Sequence, residues 1–562
     1  MSSGRGNPAP SALGEELEAL KRRSGRSYAA LAHRTGLSRS TLHRYCQGIT
    51  APGTFGAVER IARVCGANEH EVDRLYRAWR RAVAEQDDAD RPDGSDGPLS
   101  APDAERDGWR PVLLRALHVH FWLRAAALLV VLVVTSLVTT ASYLGGPDDD
   151  TTTGTVGEAG AADGQRLRGP DWSVVPRRVP SEFFGLTLNT DTGRMPGFRT
   201  GAVRLWDSET RWGAIESERG HYDWSTVDRM VEGAERDGLP VLFTLSGTPL
   251  WAGTEDGRRS AYPDSLASPP GNLKDWDRFV SEVVERYGKR VESYELWDYP
   301  SHPLHYAGSI STLAEMVERA SRIIHRTDPG ALVACPSFGE LWTEHGQELL
   351  RKFARTGAYE SCDAAALKLP PRKATGRPEE IIELAVQVHD VLYEEGVAGV
   401  PLWNTGTDRD VAVSEPLDAR QARDYAVRFY LSGLYSWEYG VRRMYFYSWG
   451  SVRVPLVVQP VAGRPTEAGR RMERLARWLD GAAVVACGKG GQMGLAKGAY
   501  TCRFERDGKR LDVFWTTRGS ARLTLAEGAH RLRHMDGRAV RAQAGDRVSF
   551  GEEPVLIEHR AR

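Results

Sequence analysis

Five tryptophans, Trp206, Trp251, Trp297, Trp403 and Trp449, stand at or near the ends of β-rich runs, and Asp298, His302, Lys368 and Asn404 accompany them. Aromatic faces with a few convergent polar groups suit a sugar-binding groove: the rings stack on C–H faces while carboxylate, imidazole, ammonium and amide direct hydroxyls. Each tryptophan has a plainer alternative as core. Nearer the N-terminus, Ser38, Arg39, Ser40, Thr41 and Arg44 form a second set. Hydroxyls and guanidinium groups serve phosphates, and Arg also reads guanine edges in a major groove. Asp298, Asp408 and Glu344 are carboxyl groups within reach of the first set, but nothing in their spacing marks a pair for acid–base work. No metal site and no cofactor is expected.

The elements that must position these residues fall into two kinds. From residue 182 onward, eight β-rich runs alternate with helical stretches of ten to fifteen residues: EFFGLTL (182–188), AVRLW (202–206), VLFTLS (241–246), VESYELW (291–297), ALVACPS (331–337), DAAALKL (363–369), GVPLWN (399–404) and RMYFYSW (443–449). That alternation predicts a (β/α)8 TIM barrel over 176–480, with an open parallel sheet as the alternative. Chemistry in such a barrel sits at the C-terminal strand ends. Residues 481–562 hold no long helical pattern and read as hairpins, so a C-terminal β-sandwich is expected. Before residue 86 the chain is all-α: Leu13, Leu17 and Leu20 keep helical spacing, Ser27 caps a short helix, Gly36 breaks it, and Ser38 opens another that ends at Gly48. Helix, glycine turn, helix is the helix-turn-helix arrangement.

Two resemblances follow from these residues. TGLSRSTLHRYCQGITAPG, with VERIARVCGA behind it, resembles the XRE/Cro-type helix-turn-helix domains over roughly residues 12–82. The resemblance implies a DNA-binding head, with protein binding as the alternative, since membrane-tethered domains of this type in cell-shape proteins bind filaments. Over roughly 180–558, the run from VRLWDSETRWGAIESERGHYDW through YELWDYP and PLWNTGTD to YFYSWG resembles clan A glycoside hydrolases, most of all the xylosidase and iduronidase family numbered thirty-nine. In that clan the fourth strand ends in Trp-Asn-Glu-Pro, whose Glu is the acid/base, and the seventh in Thr-Glu, whose Glu is the nucleophile. Here Tyr299 and Gly406 stand at those positions, Asp298 replaces the Asn, and Lys368 stands for a His on the sixth strand. Retaining hydrolysis needs two carboxyl groups about 5–5.5 Å apart. A barrel that keeps the fold without the catalytic pair is therefore expected, and restoring both Glu is the experiment the resemblance suggests.

Charge and hydropathy place these parts. The whole chain of 562 residues has a net charge of −1, which names no partner. Residues 11–86, the helix-turn-helix domain, carry thirteen Lys/Arg against eight Asp/Glu, whereas 87–108 carry two against eight and read as a disordered acidic linker. Residues 125–144 (AAALLVVLVVTSLVTTASYL) hold twenty positions without a charge. As a helix they would cover roughly 30 Å, a bilayer's hydrocarbon thickness, and a transmembrane helix is expected there. Arg110, Arg115 and Arg124 before it and Asp148, Asp149 and Asp150 after it predict a cell-membrane protein, single-pass, with its N-terminus cytoplasmic and everything beyond an extracellular stalk (145–175) outside. Cys46 and Cys65 then stay reduced. Cys335, Cys362, Cys487 and Cys502 face an oxidising exterior, with Cys335–Cys362 and Cys487–Cys502 favoured among three connectivities.

The expectation is thus a membrane-anchored helix-turn-helix regulator with an extracellular, non-hydrolytic, glycan-binding barrel. Its partners would be DNA, membrane lipid, a glycan or oligosaccharide, and a second copy of the chain, because repressor-type heads bind paired half-sites as dimers. The alternatives are a membrane-anchored glycoside hydrolase and an envelope scaffold whose head binds protein.

Overall fold

The computed structural model describes residues 12–82 and 170–561, apart from short internal stretches of which 409–416 and 451–455 are the longest. The expected acidic linker, the span at 125–144 and the stalk up to residue 169 lie outside the described residues.

The head begins with α1 (Ala12–Ser24), α2 (Tyr28–Thr35), α3 (Arg39–Cys46) and α4 (Phe55–Val64). Leu13, Leu17 and Leu20 bury one face of α1 against Leu31, Leu42, Val58 and Ile61. Ser27 caps α2, its Oγ accepting from Ala30 N at 3.2 Å. Helix α3 ends in a Schellman turn, with Ile49 N donating to Arg44 O at 3.0 Å and Gly48 N to Tyr45 O at 3.1 Å. Gly48 sits there at φ +66°. Its neighbourhood also needs Gly14, where a Cβ would lie 2.4 Å from Gly48 N.

Eight parallel strands close into a barrel: β1 (Phe184–Leu188), β2 (Ala202–Leu205), β3 (Val241–Leu245), β4 (Ser293–Leu296), β5 (Leu332–Phe338), β6 (Ala364–Lys368), β7 (Leu402–Gly406) and β8 (Val441–Trp449), neighbours in that order with β8 against β1. Around them run α5 (Ser225–Arg236), α6 (Leu273–Tyr287), α7 (Ile310–Thr327), α8 (Glu344–Ala354), α9 (Glu380–Glu394), α10 (Ala419–Tyr435) and α11 (Glu467–Trp478). Amphipathic pattern and caps explain them. In α6, Asn272 Oδ1 accepts from Lys274 N at 3.0 Å, the face Trp276, Phe279, Val280, Val283 and Val284 is buried, and Gly288 follows its last turn. Because side chains alternate along a strand, the barrel interior is filled in layers. Ala202, Leu242, Ala334, Ala364, Ala366, Trp403 and Tyr445 form a lower apolar cluster in which small residues make room for two large rings. Gly185 belongs to the same fit, since a Cβ there would lie 2.6 Å from Tyr445 Cδ1. One step further along the strands the layer turns polar: Thr187, Arg204, Thr244, Glu295, Lys368 and Thr405.

The C-terminal part is a seven-stranded antiparallel sheet faced by the ladder Ser520–Thr524 with Arg547–Gly551. One edge strand, Trp172–Arg178, precedes the barrel and pairs with Ala483–Lys489. Residues 172–175 were expected in the stalk and 176–178 in the barrel. They form sheet instead, because Trp172 is buried against Tyr435 and needs a covered edge. Disulfides join Cys335 to Cys362 and Cys487 to Cys502, while Cys46 and Cys65 are buried free thiols.

Among the described residues, no helix is long and apolar enough to cross a membrane. The longest, α7 with 18 residues, buries Leu313, Val317 and Ile324 but carries Glu315, Glu318, Arg319, Arg322 and Arg326. This finding corrects the expected single-pass localisation in the cell membrane.

Candidate functional site

The polar layer is an ionic cluster at the C-terminal end of the barrel. Arg204 on β2 donates from Nε to Glu295 Oε2 at 2.5 Å and from Nη2 to Asp298 Oδ1 at 2.6 Å. Lys368, the last residue of β6, donates to the same Asp298 oxygen at 2.7 Å. Thr244 and Thr405 hydroxyls donate to Glu295 at 2.7 and 3.0 Å, and Ser337 to Asp298 Oδ1 at 3.3 Å. His305 Nδ1 lies 3.5 Å from Asp298 Oδ2. All four charged side chains are at most 5% exposed. Burial alone would raise the Asp298 carboxyl, but Lys368, Arg204 and the His305 contact outweigh it and hold the group well below the ordinary carboxylate range. Asp298 is thus an ionised, fully hydrogen-bonded carboxylate, a poor proton donor.

Backbone conformation aims Asp298 inward. Trp297 and Tyr299, on either side of it, sit at φ +88° and +55°, a region that costs non-glycine residues of order 1–3 kcal/mol each. Tyr299, at the acid/base position of the resemblance, is 3% exposed and packs against His302, His305 and Lys368, whose Nζ stands 5.3 Å from its ring centre. Gly406, at the nucleophile position, ends β7 at φ +156°. A Cβ there would meet Lys368 Nζ at 3.5 Å and Tyr447 Cδ2 at 3.9 Å. One ammonium therefore borders both Tyr299 and Gly406.

Two further carboxyl groups lie at the rim. Asp408 accepts from Glu340 N at 3.0 Å and from Tyr299. Gly339 permits the approach, since a Cβ there would lie 2.4 Å from Tyr299 Cε2 and 2.5 Å from Asp408 Oδ1. Burial pushes the Asp408 carboxyl up to about 6, against the opposing pull of the Glu340 amide, Lys368 and Tyr299. Asp207 accepts from Tyr262 at 3.1 Å and from Tyr447, and both phenols are pushed well above their ordinary value by burial and by that carboxylate. Glu344 is elsewhere: it opens α8 and is exposed.

The tryptophans are distributed differently from an open aromatic groove. Trp206, Trp297, Trp403 and Trp449 are 4%, 1%, 4% and 1% exposed. Trp403 belongs to the lower layer, with the Arg443 guanidinium 4.2 Å above its ring. The Nε1 groups of Trp297 and Trp449 donate to His305 O at 3.1 Å and to Gln459 Oε1 at 3.0 Å. Trp206 packs edge-on to Tyr262. Trp251 is half-buried, donates to Glu216 O at 2.7 Å, and has Arg219 and Arg278 over its ring. Asn404 is buried and clamps the backbone of Leu369 through two 3.2 Å hydrogen bonds. His302 is half-buried at the rim, its Nδ1 accepting from Leu304 N at 3.2 Å. The structure thus brings Asp298, Lys368, Tyr299 and His302 together, with Gly406 beside Lys368, and assigns Trp403 and Asn404 to packing.

Arg204, Glu295, Asp207, Tyr262, His305 and Tyr447 were not among the expected site residues. A signal existed for two of them: Arg204 and Glu295 are charges inside the otherwise apolar runs AVRLW and YELW, which a closed barrel must neutralise internally. Among the described residues, no group of three or more His, Cys, Asp or Glu side chains converges as a metal would require.

In the head, Arg39 and Arg44 are exposed on α3, Thr41 is half-buried, and Leu42 is fully buried beneath them. Ser38 and the side chain of Ser40 lie outside the described residues.

Residues 12–75 match the model of a helix-turn-helix domain family. Curated proteins give no match. Among solved structures, the chain is similar to a family 39 glycoside hydrolase from Bacteroides cellulosilyticus WH2, with TM-score 0.52 and 14% identity, covering 69% of this chain and 83% of the other. It is similar also to a glucosidase from Croceicoccus marinus, with TM-score 0.50 and 15% identity, covering 70% and 98%. At such identities the likeness concerns fold: an N-terminal helix-turn-helix domain is joined to a glycoside hydrolase-like barrel.

Proposed function

We propose that the chain is a DNA-binding regulator whose barrel binds a saccharide without hydrolysing it. The observation that carries the non-hydrolytic part is the Arg204–Glu295–Asp298–Lys368 cluster. Its carboxylates are buried and saturated with donors, and an ammonium stands between a tyrosine and a glycine where the resemblance places two Glu. The head's part rests on the family match and on exposed Arg39 and Arg44 above a packed Leu42. Saccharide binding follows from fold likeness to a family 39 hydrolase and a glucosidase. A head of this kind would act as a homodimer on paired half-sites.

Gel shifts on genomic fragments test the head. Binding that weakens steeply with salt is expected, because phosphate contacts release counterions. Salt-insensitive binding to a protein partner and no DNA shift would favour the scaffold alternative. For the barrel, aryl glycosides incubated with the full chain should stay intact. Turnover abolished by Asp408→Asn would overturn the proposal in favour of a second reading. One observation favours that reading: Asp408, titrating at about 6, touches the Tyr299 phenol, and tyrosine nucleophiles serve sialidases.

A further inference from the structure

Charges on the head and on the barrel pair with one another. Arg60 on α4 donates from Nη1 to the carboxylate of Asp191 and, at 3.3 Å, to its backbone carbonyl. In return, Arg194 of the barrel lies 3.1 Å from Glu59, the neighbour of Arg60 on α4. Val58, Ile61 and Ala62 supply the face that α4 turns to the head's apolar core. Helical spacing puts Glu59 and Arg60 off that face, yet their side chains are 3% and 15% exposed. The Asp191 side chain is 0% exposed. A carboxylate so deeply covered needs a cation. The barrel's own Arg229 donates from Nε to the Asp191 backbone carbonyl at 3.3 Å, and it is the head that supplies a guanidinium to the carboxylate.

The barrel side of this contact is held by its own packing. Asp191 and Arg194 lie in the loop after β1, and that loop is seated on α5. Gly193 N donates to Met230 Sδ at 3.3 Å, and at φ +72° Gly193 has no room for a Cβ, which would lie 2.6 Å from Arg229 O. Glu209, in the loop after β2, adds a second acid. Burial and the nearby Asp191 push its carboxyl up to about 7, against the pull of Arg60 and Arg211. Tyr45, near the end of α3, borders the same surface, its phenol pushed up to about 12 by burial, with Glu209 and Asp191 adding to the shift. A cation of the head thus meets two acids of the barrel, while an acid of the head meets a barrel arginine, and such complementarity fixes register between two surfaces. Arg39 and Arg44 of α3 stay exposed throughout.

We propose that the loops after β1 and β2 are a docking surface for the helix-turn-helix domain of the same chain, held by α4 through the reciprocal pairs Arg60–Asp191 and Glu59–Arg194. The contact requires head and barrel to share one aqueous compartment, and it does not depend on what the barrel binds. Because docking engages α4 and leaves Arg39 and Arg44 exposed, the head can meet a phosphate backbone with the barrel seated behind it.

Hydrogen exchange of the full chain, read by mass spectrometry over residues 189–194, tests this. Arg60→Glu sets a third carboxylate against Asp191 and Glu209 and should release the head, with amides of that loop exchanging about tenfold faster or more. Circular dichroism should be unchanged, because residue 60 lies off the head's core. Adding Asp191→Arg exchanges the two charges and should return the loop to near wild-type rates. Glu59→Arg, alone and with Arg194→Glu, repeats the cycle at the more exposed pair, where the barrel loop tolerates the change most easily. Rescue by exchanged charges in either cycle supports docking, since a merely structural role would compound the two changes instead. Exchange unaltered by Arg60→Glu and by Glu59→Arg, or rescue in neither cycle, overturns it. Protection that fades as the protein is diluted assigns the docked head to a second copy and overturns docking within one chain.

Discussion

Lys368→Met tests the ionic cluster most directly. The ammonium lies 2.7 Å from Asp298 Oδ1, with the two side chains 5% and 2% exposed. At an effective dielectric of about 20, unit charges at that separation attract by roughly 6 kcal/mol. Methionine also avoids the desolvation that lysine suffers, and Arg204 still serves Asp298 at 2.6 Å. The net loss should therefore be about 3–5 kcal/mol, the range for breaking a buried pair and leaving one charge behind. Urea unfolding followed by tryptophan fluorescence reads this out, since thirteen of the sixteen tryptophans follow residue 170. The companion Lys368→Met with Asp298→Asn removes both charges and should recover most of the loss, leaving the pair strongly coupled. The pH dependence has a definite sign. The folded carboxyl of Asp298 is depressed, so its stabilising contribution is complete above the unfolded value near 3.8 and fades as pH falls through the folded one. The gap between wild type and Lys368→Met should be constant across neutral pH and close below about pH 4. A single variant within about 1 kcal/mol of wild type at pH 7, or a gap that widens on acidification, would refute the argument.

Three other outcomes are expected. Tyr299→Glu with Gly406→Glu should not restore aryl glycoside hydrolysis, because residue 406 sits at φ +156° and the new carboxylate would meet Lys368 Nζ beside its Cβ. Turnover by this double variant would show the cluster to be no obstacle. Asp408→Asn should flatten the pH dependence of stability between pH 4 and 6: with its carboxyl raised to about 6, wild type loses up to about 3 kcal/mol as pH rises through that window and the buried group ionises. Urea midpoints from pH 4 to 7 measure it. Arg44→Ala, exposed on α3, should weaken DNA binding in gel shifts and lower the salt slope by about one unit without moving the head's melting transition.

Much of the barrel was legible in the chain. All eight β-rich runs became its strands, because alternation with amphipathic helices leaves few other ways to bury both sheet faces. The head's turns were legible from Ser27 and Gly48, whose roles are local. The tryptophan groove was not. Trp403 and Trp449 look alike in sequence, yet one fills the lower layer and the other meets Gln459, and strand-end position alone does not say which way a ring turns. The strand Trp172–Arg178 was assigned to stalk and barrel because its partner, Ala483–Lys489, lies some three hundred residues away.

What the sequence determined by itself was residue type: Tyr299 and Gly406 stand where the resemblance places two glutamates. How the charges beside these two residues pair was decided only by tertiary structure. Arg204 and Asp298 are 94 residues apart, Asp298 and Lys368 are 70, and no local pattern links them. Closing the barrel forces their side chains into one small, dry interior, where each charge must find its opposite, and that requirement made an ion pair of what the sequence shows as two unrelated residues.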